Sequence, residues 1–249
     1  MAGNPAAGPA LARAGGPDGI RTLLFDVLGT VVDEAGSIAA EASVALAATG
    51  AGPDAGQRLG DEWMRCLDAL IDQVRTGEAP WRSSQVLRRA ALDDAVRAAG
   101  PDGLSPSVLN ELARAGQRFR PWPDSARALH ALARSFTVVA LSNADLAELA
   151  GIFATGGLTW HCVLSGELVQ AYKPDPAVYR MALNLLDLDP HQTMMVAAHP
   201  WDLRAAAQHG MRTGYVSRPG EAAPGADDRF DVYAKDLADL AMLLAPGVG

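Results

Sequence analysis

Apolar positions in this chain fall into two kinds of run. Short unbroken runs that end on a polar residue read as buried strands, and longer stretches with apolar positions three and four apart read as helices. The first strand signal is Arg21-Thr22-Leu23-Leu24-Phe25-Asp26, and the chain must turn just beyond it at Gly29-Thr30. From 36 to 112 the spacing is helical. Ile38, Ala42, Val44 and Leu46 form one set, Trp63, Leu67, Leu70, Ile71 and Val74 a second, and Leu87, Ala91, Leu92 and Val96 a third. Breaks at Gly52-Pro53, Ala79-Pro80 and Gly100-Pro101 cut this stretch into several helices, with no strand predicted among them.

Beyond Arg120-Pro121-Trp122-Pro123-Asp124 the pattern changes. A helix over 125–133 leads into an apolar run at 136–141, and strand and helix signals then alternate: 162–164, a helix from 176 to 186, 193–197, a helix from 202 to 209, and 213–216. Such alternation predicts an α/β fold, a Rossmann-like parallel sheet with helices on both faces. The all-helical block interrupts it after the first strand. The expected division is a core of 20–33 and 125–249, an inserted helical cap of 34–124 over the strand ends, and a disordered tail of 1–19 rich in Ala, Gly and Pro. No repeat at solenoid periods is present.

Composition narrows the functional classes. The chain has 249 residues, 49% of them hydrophobic and 20% charged, as in ordinary globular proteins. The net charge of −8 would repel phosphate backbones and anionic membranes, which argues against nucleic-acid or membrane partners. An anionic substrate would need locally placed basic residues. Cys66 and Cys162 lack zinc-ligand spacing and read as reduced thiols. With no signal-peptide core and no apolar run of spanning length, a cytoplasmic location is expected.

In parallel sheets ligands bind beyond the carboxyl ends of the strands. Four polar clusters fall there: Asp26, Ser142-Asn143, Lys173, and His199 with Asp202. A carboxylate at such an end can be a covalent nucleophile, and it can equally cap the turn after its strand. Asp202 could likewise cap a helix start, Tyr179 could be a structural core residue, and His199 a hydrogen-bonded loop residue. Trp201 reads as packing beneath the site.

Taken together, Phe25-Asp26-Val27-Leu28-Gly29-Thr30, Leu141-Ser142-Asn143, Tyr172-Lys173-Pro174-Asp175 and Val196-Ala197-Ala198-His199-Pro200-Trp201-Asp202 resemble, in order and setting, the motifs of the haloacid dehalogenase superfamily. The type II L-2-haloacid dehalogenase branch is the most similar. That resemblance implies a hydrolase without cofactor or metal, acting on a small haloacid through an aspartyl ester. It implies Asp26 as the nucleophile, and Lys173 beside it keeping it charged. Thr30, Ser142 and Asn143 would hydrogen-bond the nucleophile and the substrate carboxylate. Tyr179 would lie near the nucleophile, Asp202 would orient Lys173 or the hydrolytic water, and His199 would polarise the ester or position water. It also implies a homodimer through cap and core helices.

Superfamily phosphatases, acting on small phosphorylated metabolites with magnesium, are the alternative. They carry a proton-donating acid where this chain has Leu28 and a magnesium-binding acid where it has Ala198. A non-catalytic member would be expected to lose Asp26 or Lys173, and both are present. The chain also departs from the dehalogenase pattern. The arginine that commonly follows a cap tryptophan is Met64 here, after Trp63, and Leu28 and Glu34-Ala35 replace an aromatic and a Trp-Arg pair. Arg65, Arg82 or Arg120 could supply the missing cation, Arg65 being the nearest in sequence.

Overall fold

A computed structural model describes residues 19–47, 49–99 and 104–245. The expected tail therefore lies outside the described residues except for Gly19. Among the described residues a six-stranded parallel sheet runs in the order β5-β4-β1-β6-β7-β8. Its strands are β1 (Thr22–Phe25), β4 (Thr137–Ser142), β5 (Cys162–Ser165), β6 (Thr193–Ala197), β7 (Arg212–Val216) and β8 (Val232–Ala234). β1 lies between β4 and β6, with Phe25 level with Ala140 on one side and Val196 on the other. Helices α5 (Ser125–Leu132), α6 (Leu146–Gly156), α7 (Pro176–Leu185), α8 (Pro200–Ala207) and α9 (Leu237–Leu243) accompany it.

Alternation of side chains along each strand divides the apolar core. Leu23, Phe25, Val138 and Ala140 face one layer, which continues into the helical part. Leu24, Val139, Leu141 and Met195 face the other, against α7 and α8. Strand β8 and helices α6 and α9 were not anticipated from the pattern. β8 is only three residues long, and α6 is so apolar that no polar face marks its period.

The helical part comprises α1 (Glu34–Leu46), α2 (Ala55–Arg75), α3 (Ser84–Ala99) and α4 (Pro106–Leu112). A short antiparallel pair, β2 (Val32–Asp33) with β3 (Arg120–Pro121), ties together its two connections to the sheet. The Asp33 side chain accepts the Gly36 amide at 2.9 Å and starts α1. Gly56 lets α1 and α2 approach so closely that a Cβ there would sit 2.6 Å from the Ser43 backbone.

Buried charge joins the helical part to the sheet domain. Asp145, just before α6, accepts the Ser84 and Gln85 amides at 2.8 and 3.0 Å and so caps a helix of the other part. Arg88, 1% exposed, donates from Nε to Glu148 of α6 at 3.1 Å and from Nη1 to Glu34 of α1 at 3.0 Å. The Ser84 hydroxyl also bonds Glu148. Among the described residues no helix is long and apolar enough to cross a membrane.

Candidate active site

Central placement of β1 brings Asp26 to the carboxyl edge of the sheet, where its amide donates to the Val196 carbonyl at 2.9 Å. The chain reverses at Gly29, whose φ of +74° is the left-handed conformation that glycine adopts without steric cost. The turn returns Thr30 beneath the carboxylate. The Thr30 hydroxyl donates to Asp26 Oδ2 at 2.7 Å and accepts the Ala198 amide at 2.8 Å. Lys173 Nζ, 1% exposed, donates to Asp26 Oδ1 at 2.8 Å and to Asp202 Oδ2 at 2.5 Å. Asn143 fixes the lysine backbone, its Oδ1 accepting the Lys173 amide at 2.7 Å.

Asp202, fully buried at the start of α8, has both oxygens engaged, Oδ2 by Lys173 and Oδ1 by the Tyr179 hydroxyl at 2.6 Å. His199 Nδ1 lies 2.8 Å from Asp26 Oδ2, and its Nε2 lies 3.0 Å from Glu221 Oε2. The Trp201 ring stacks on the imidazole at 5.4 Å.

These charges set one another's protonation. Burial would raise the Asp26 carboxyl, but the Lys173 ammonium and His199 outweigh it and hold the group well below the usual carboxylate range. Burial would lower Lys173, yet Asp202 and Asp26 together push it up. For Asp202 burial wins and moves it upward against the pull of Lys173. His199 would fall on burial alone; flanked by Asp26 and Glu221 it is pushed up to about 10, so the resting imidazole is cationic.

Above Asp26 is a cavity of about 340 Å³. Its apolar walls include Leu28, Met64, Leu67, Ile71 and Trp201, and its polar lining includes Glu34, Asp68, Arg88, Asn143, His199 and Glu221. Of the catalytic and substrate-binding residues expected from the sequence, Asp26, Leu28, Asn143 and His199 reach this cavity, and Trp201, expected beneath the site, forms part of its wall. Lys173, Thr30, Asp202 and Tyr179 stand behind the nucleophile.

Three expected substrate contacts do not line the cavity. The Ser142 hydroxyl accepts the Ala144 amide at 3.1 Å and does not line the cavity, because it is spent on the turn that ends β4. Arg65 points away. Its side chain is 66% exposed and paired with Glu62, since one residue on a helix is a rotation of about 100° and Met64 occupies the cavity wall instead. Tyr179 likewise meets Asp202 rather than the cavity.

The arginine that does line the cavity is Arg88, which was not anticipated. Its backbone carbonyl is pinned by the Trp63 indole N–H at 2.8 Å. A signal existed, because position 88 shares the buried stripe of α3 with Ser84, Ala91 and Ala95, where an arginine is out of place. Glu34 beside it is pushed up from the ordinary carboxyl value by burial, despite Arg88. Glu221 was also unforeseen and sits in a loop after β7. Arg218 anchors that loop, donating from Nε to the Thr30 carbonyl at 2.8 Å and from Nη1 to Asp124 at 2.8 Å. Among the described residues no group of three or more His, Cys, Asp or Glu is placed to hold a metal ion.

The model of the haloacid dehalogenase-like hydrolases matches residues 20–210. (S)-2-haloacid dehalogenase 1 of Pseudomonas sp. (strain CBS-3) is 30% identical over 205 residues, which is 81% of this chain and 86% of that protein. A crystal structure of an L-2-haloacid dehalogenase superposes with a TM-score of 0.83 at 35% identity, covering 91% of this chain and 99% of the other. A defluorinating L-2-haloacid dehalogenase gives a TM-score of 0.83 at 31% identity, covering 94% and 99%.

Proposed function

We propose, for a chain that belongs to the haloacid dehalogenase-like hydrolases, that it hydrolyses short 2-haloalkanoic acids to 2-hydroxy acids through an ester on Asp26. The observation that carries this reading is the Asp26 carboxyl group held by the Lys173 ammonium and the Thr30 hydroxyl on the floor of a largely apolar cavity. A carboxylate oxygen attacks C2 in line with the carbon–halogen bond. The halide leaves with the bonding electron pair, and the product is a neutral alkyl ester of Asp26. A halide leaving group needs no proton, which suits Leu28 at the position where a phosphatase would carry an acid. Leu28, Met64, Leu67 and Ile71 supply an apolar environment for the alkyl group and halogen.

The substrate carboxylate is assigned to Arg88, the one arginine among the described residues that line the cavity. Glu34 holds that guanidinium at 3.0 Å. A bound carboxylate takes over the Glu34 contact, and the tendency of buried Glu34 to protonate eases the exchange.

The test is free halide released from L-2-chloropropionate, chloroacetate and fluoroacetate without added metal, beside phosphate release from phosphomonoesters with magnesium. Halide release that survives EDTA is expected. Phosphate release alone, dependent on magnesium, would overturn the assignment.

A further inference from the structure

Hydrolysis of the Asp26 ester needs a base to take a proton from water, and Asp202 is badly placed for it. Both its oxygens are occupied, it is fully buried, and it does not line the cavity. His199 does line the cavity, is 19% exposed at its side chain, and lies 2.8 Å from the nucleophile. Its far nitrogen meets Glu221, whose loop is tied through Arg218 to Thr30 on the nucleophile turn. The turn itself is shaped around this pair. A Cβ on Gly29 would collide with Glu221 Oε1 and sit 3.1 Å from His199 Cε1.

We propose that Glu221 and His199 form the water-activating unit of the second half-reaction, with His199 as general base and Glu221 as the positioning residue that fixes its tautomer. This inference rests on the dehalogenase reading and its Asp26 ester. In the resting site two carboxylates flank the imidazolium. Alkylation removes the charge of one of them, Asp26, and the imidazolium then releases its Nδ1 proton to solvent, accompanying the departed halide. Glu221 keeps the remaining proton on Nε2 and leaves Nδ1 free, the role a carboxylate plays behind a catalytic histidine. Water adds to the ester carbonyl carbon of Asp26 as Nδ1 takes its proton. Collapse of the tetrahedral intermediate breaks the bond to the alkoxide, which recovers a proton from Nδ1. Asp26 is left as a carboxylic acid, passes its proton to Nδ1, and the carboxylate and imidazolium are restored. The sum is haloacid plus water giving hydroxy acid, halide and one proton.

The experiment is rapid-quench halide release from L-2-chloropropionate by the wild type, Glu221→Gln and His199→Gln, with intact-protein mass and peptide mapping at Asp26. Both variants should release close to one equivalent of chloride in a burst. They should then turn over roughly 10²- to 10³-fold more slowly than wild type and accumulate protein carrying the carboxyethyl ester on Asp26. A merely structural role would depress burst and steady state together, with no ester trapped, and that result would overturn the proposal. So would variants turning over within a factor of two of wild type. If the wild type itself releases no halide, the dehalogenase reading fails and this inference falls with it; wild-type turnover without ester in the variants removes this inference alone.

Discussion

Replacing Lys173 by Met tests the electrostatics of the nucleophile most directly. The ammonium lies 2.8 Å from Asp26 and 2.5 Å from Asp202, and all three groups are buried. At an effective dielectric of about 20, a pair of charges 2.8 Å apart interacts by roughly 6 kcal/mol before desolvation is set against it. Removing one partner of a buried pair costs about 3–5 kcal/mol in practice. For a domain of this size that is a fall in Tm of roughly 6–20 °C. The pH dependence follows from the direction of the shifts. In the wild type the depressed Asp26 contributes stability that is present above the ordinary carboxylate pKa and is lost as pH falls through its lower folded value. In the variant, buried Asp26 keeps only His199 as a charged partner and buried Asp202 keeps only the Tyr179 hydroxyl. Their folded pKa values rise, so their contribution is present below the ordinary carboxylate value and is lost as pH rises. The Tm gap between the two proteins should therefore widen from mildly acid to mildly alkaline pH, measured by calorimetry across a buffer series. Steady-state halide release should fall at least 10²-fold. A gap independent of pH, or a kcat within threefold of wild type, would refute the reasoning.

Asp26→Asn is nearly isosteric at a polar strand end and should leave the circular dichroism spectrum unchanged while abolishing turnover; normal halide release would remove Asp26 as nucleophile. Arg88→Met leaves Glu34 and Glu148 without their cation, so a loss of about 3–5 kcal/mol in urea unfolding is expected. It should also raise KM for haloacids tenfold or more, and an unchanged KM would assign the substrate carboxylate to another group. Gly29→Ala forces a side chain into the left-handed region at roughly 1–2 kcal/mol and against Glu221, so kcat should drop more than KM changes. A fully active alanine variant would show that the close approach to Glu221 is immaterial.

Much of this arrangement was legible along the chain, for identifiable reasons. β1, β4 and β6 are dominated by apolar runs, and a parallel sheet brings the residues just past each strand to one edge, so the pattern alone places Asp26 and His199 together. Lys173 belongs by sequence to the same strand-end clusters, and only the resemblance to a motif sets it directly beside Asp26. Arg65 and Met64 differ by one step on α2, and which of them faces the cavity depends on the packing of Trp63, a tertiary fact. Arg88 could have been found by asking why a charge interrupts a buried stripe. Glu221 offered no such handle. It lies in an irregular loop, where no periodicity states which way a side chain points, and only the anchoring of Arg218 on Thr30 brings it to His199.

The central position of β1 also bears on how the molecule comes to be made. Its neighbours β4 and β6 come after the whole helical insertion, and the contacts that define the site close loops of 147 residues from Asp26 to Lys173 and 173 from Asp26 to His199. Such closures are entropically costly and dominate the folding rate of parallel sheets. During synthesis Leu23, Leu24 and Phe25 emerge early and stay unpaired until most of the chain has been made. They form an adhesive segment that a nascent chain must shield from its neighbours. Catalytic competence therefore arrives late, and no N-terminal fragment that ends before His199 can carry it.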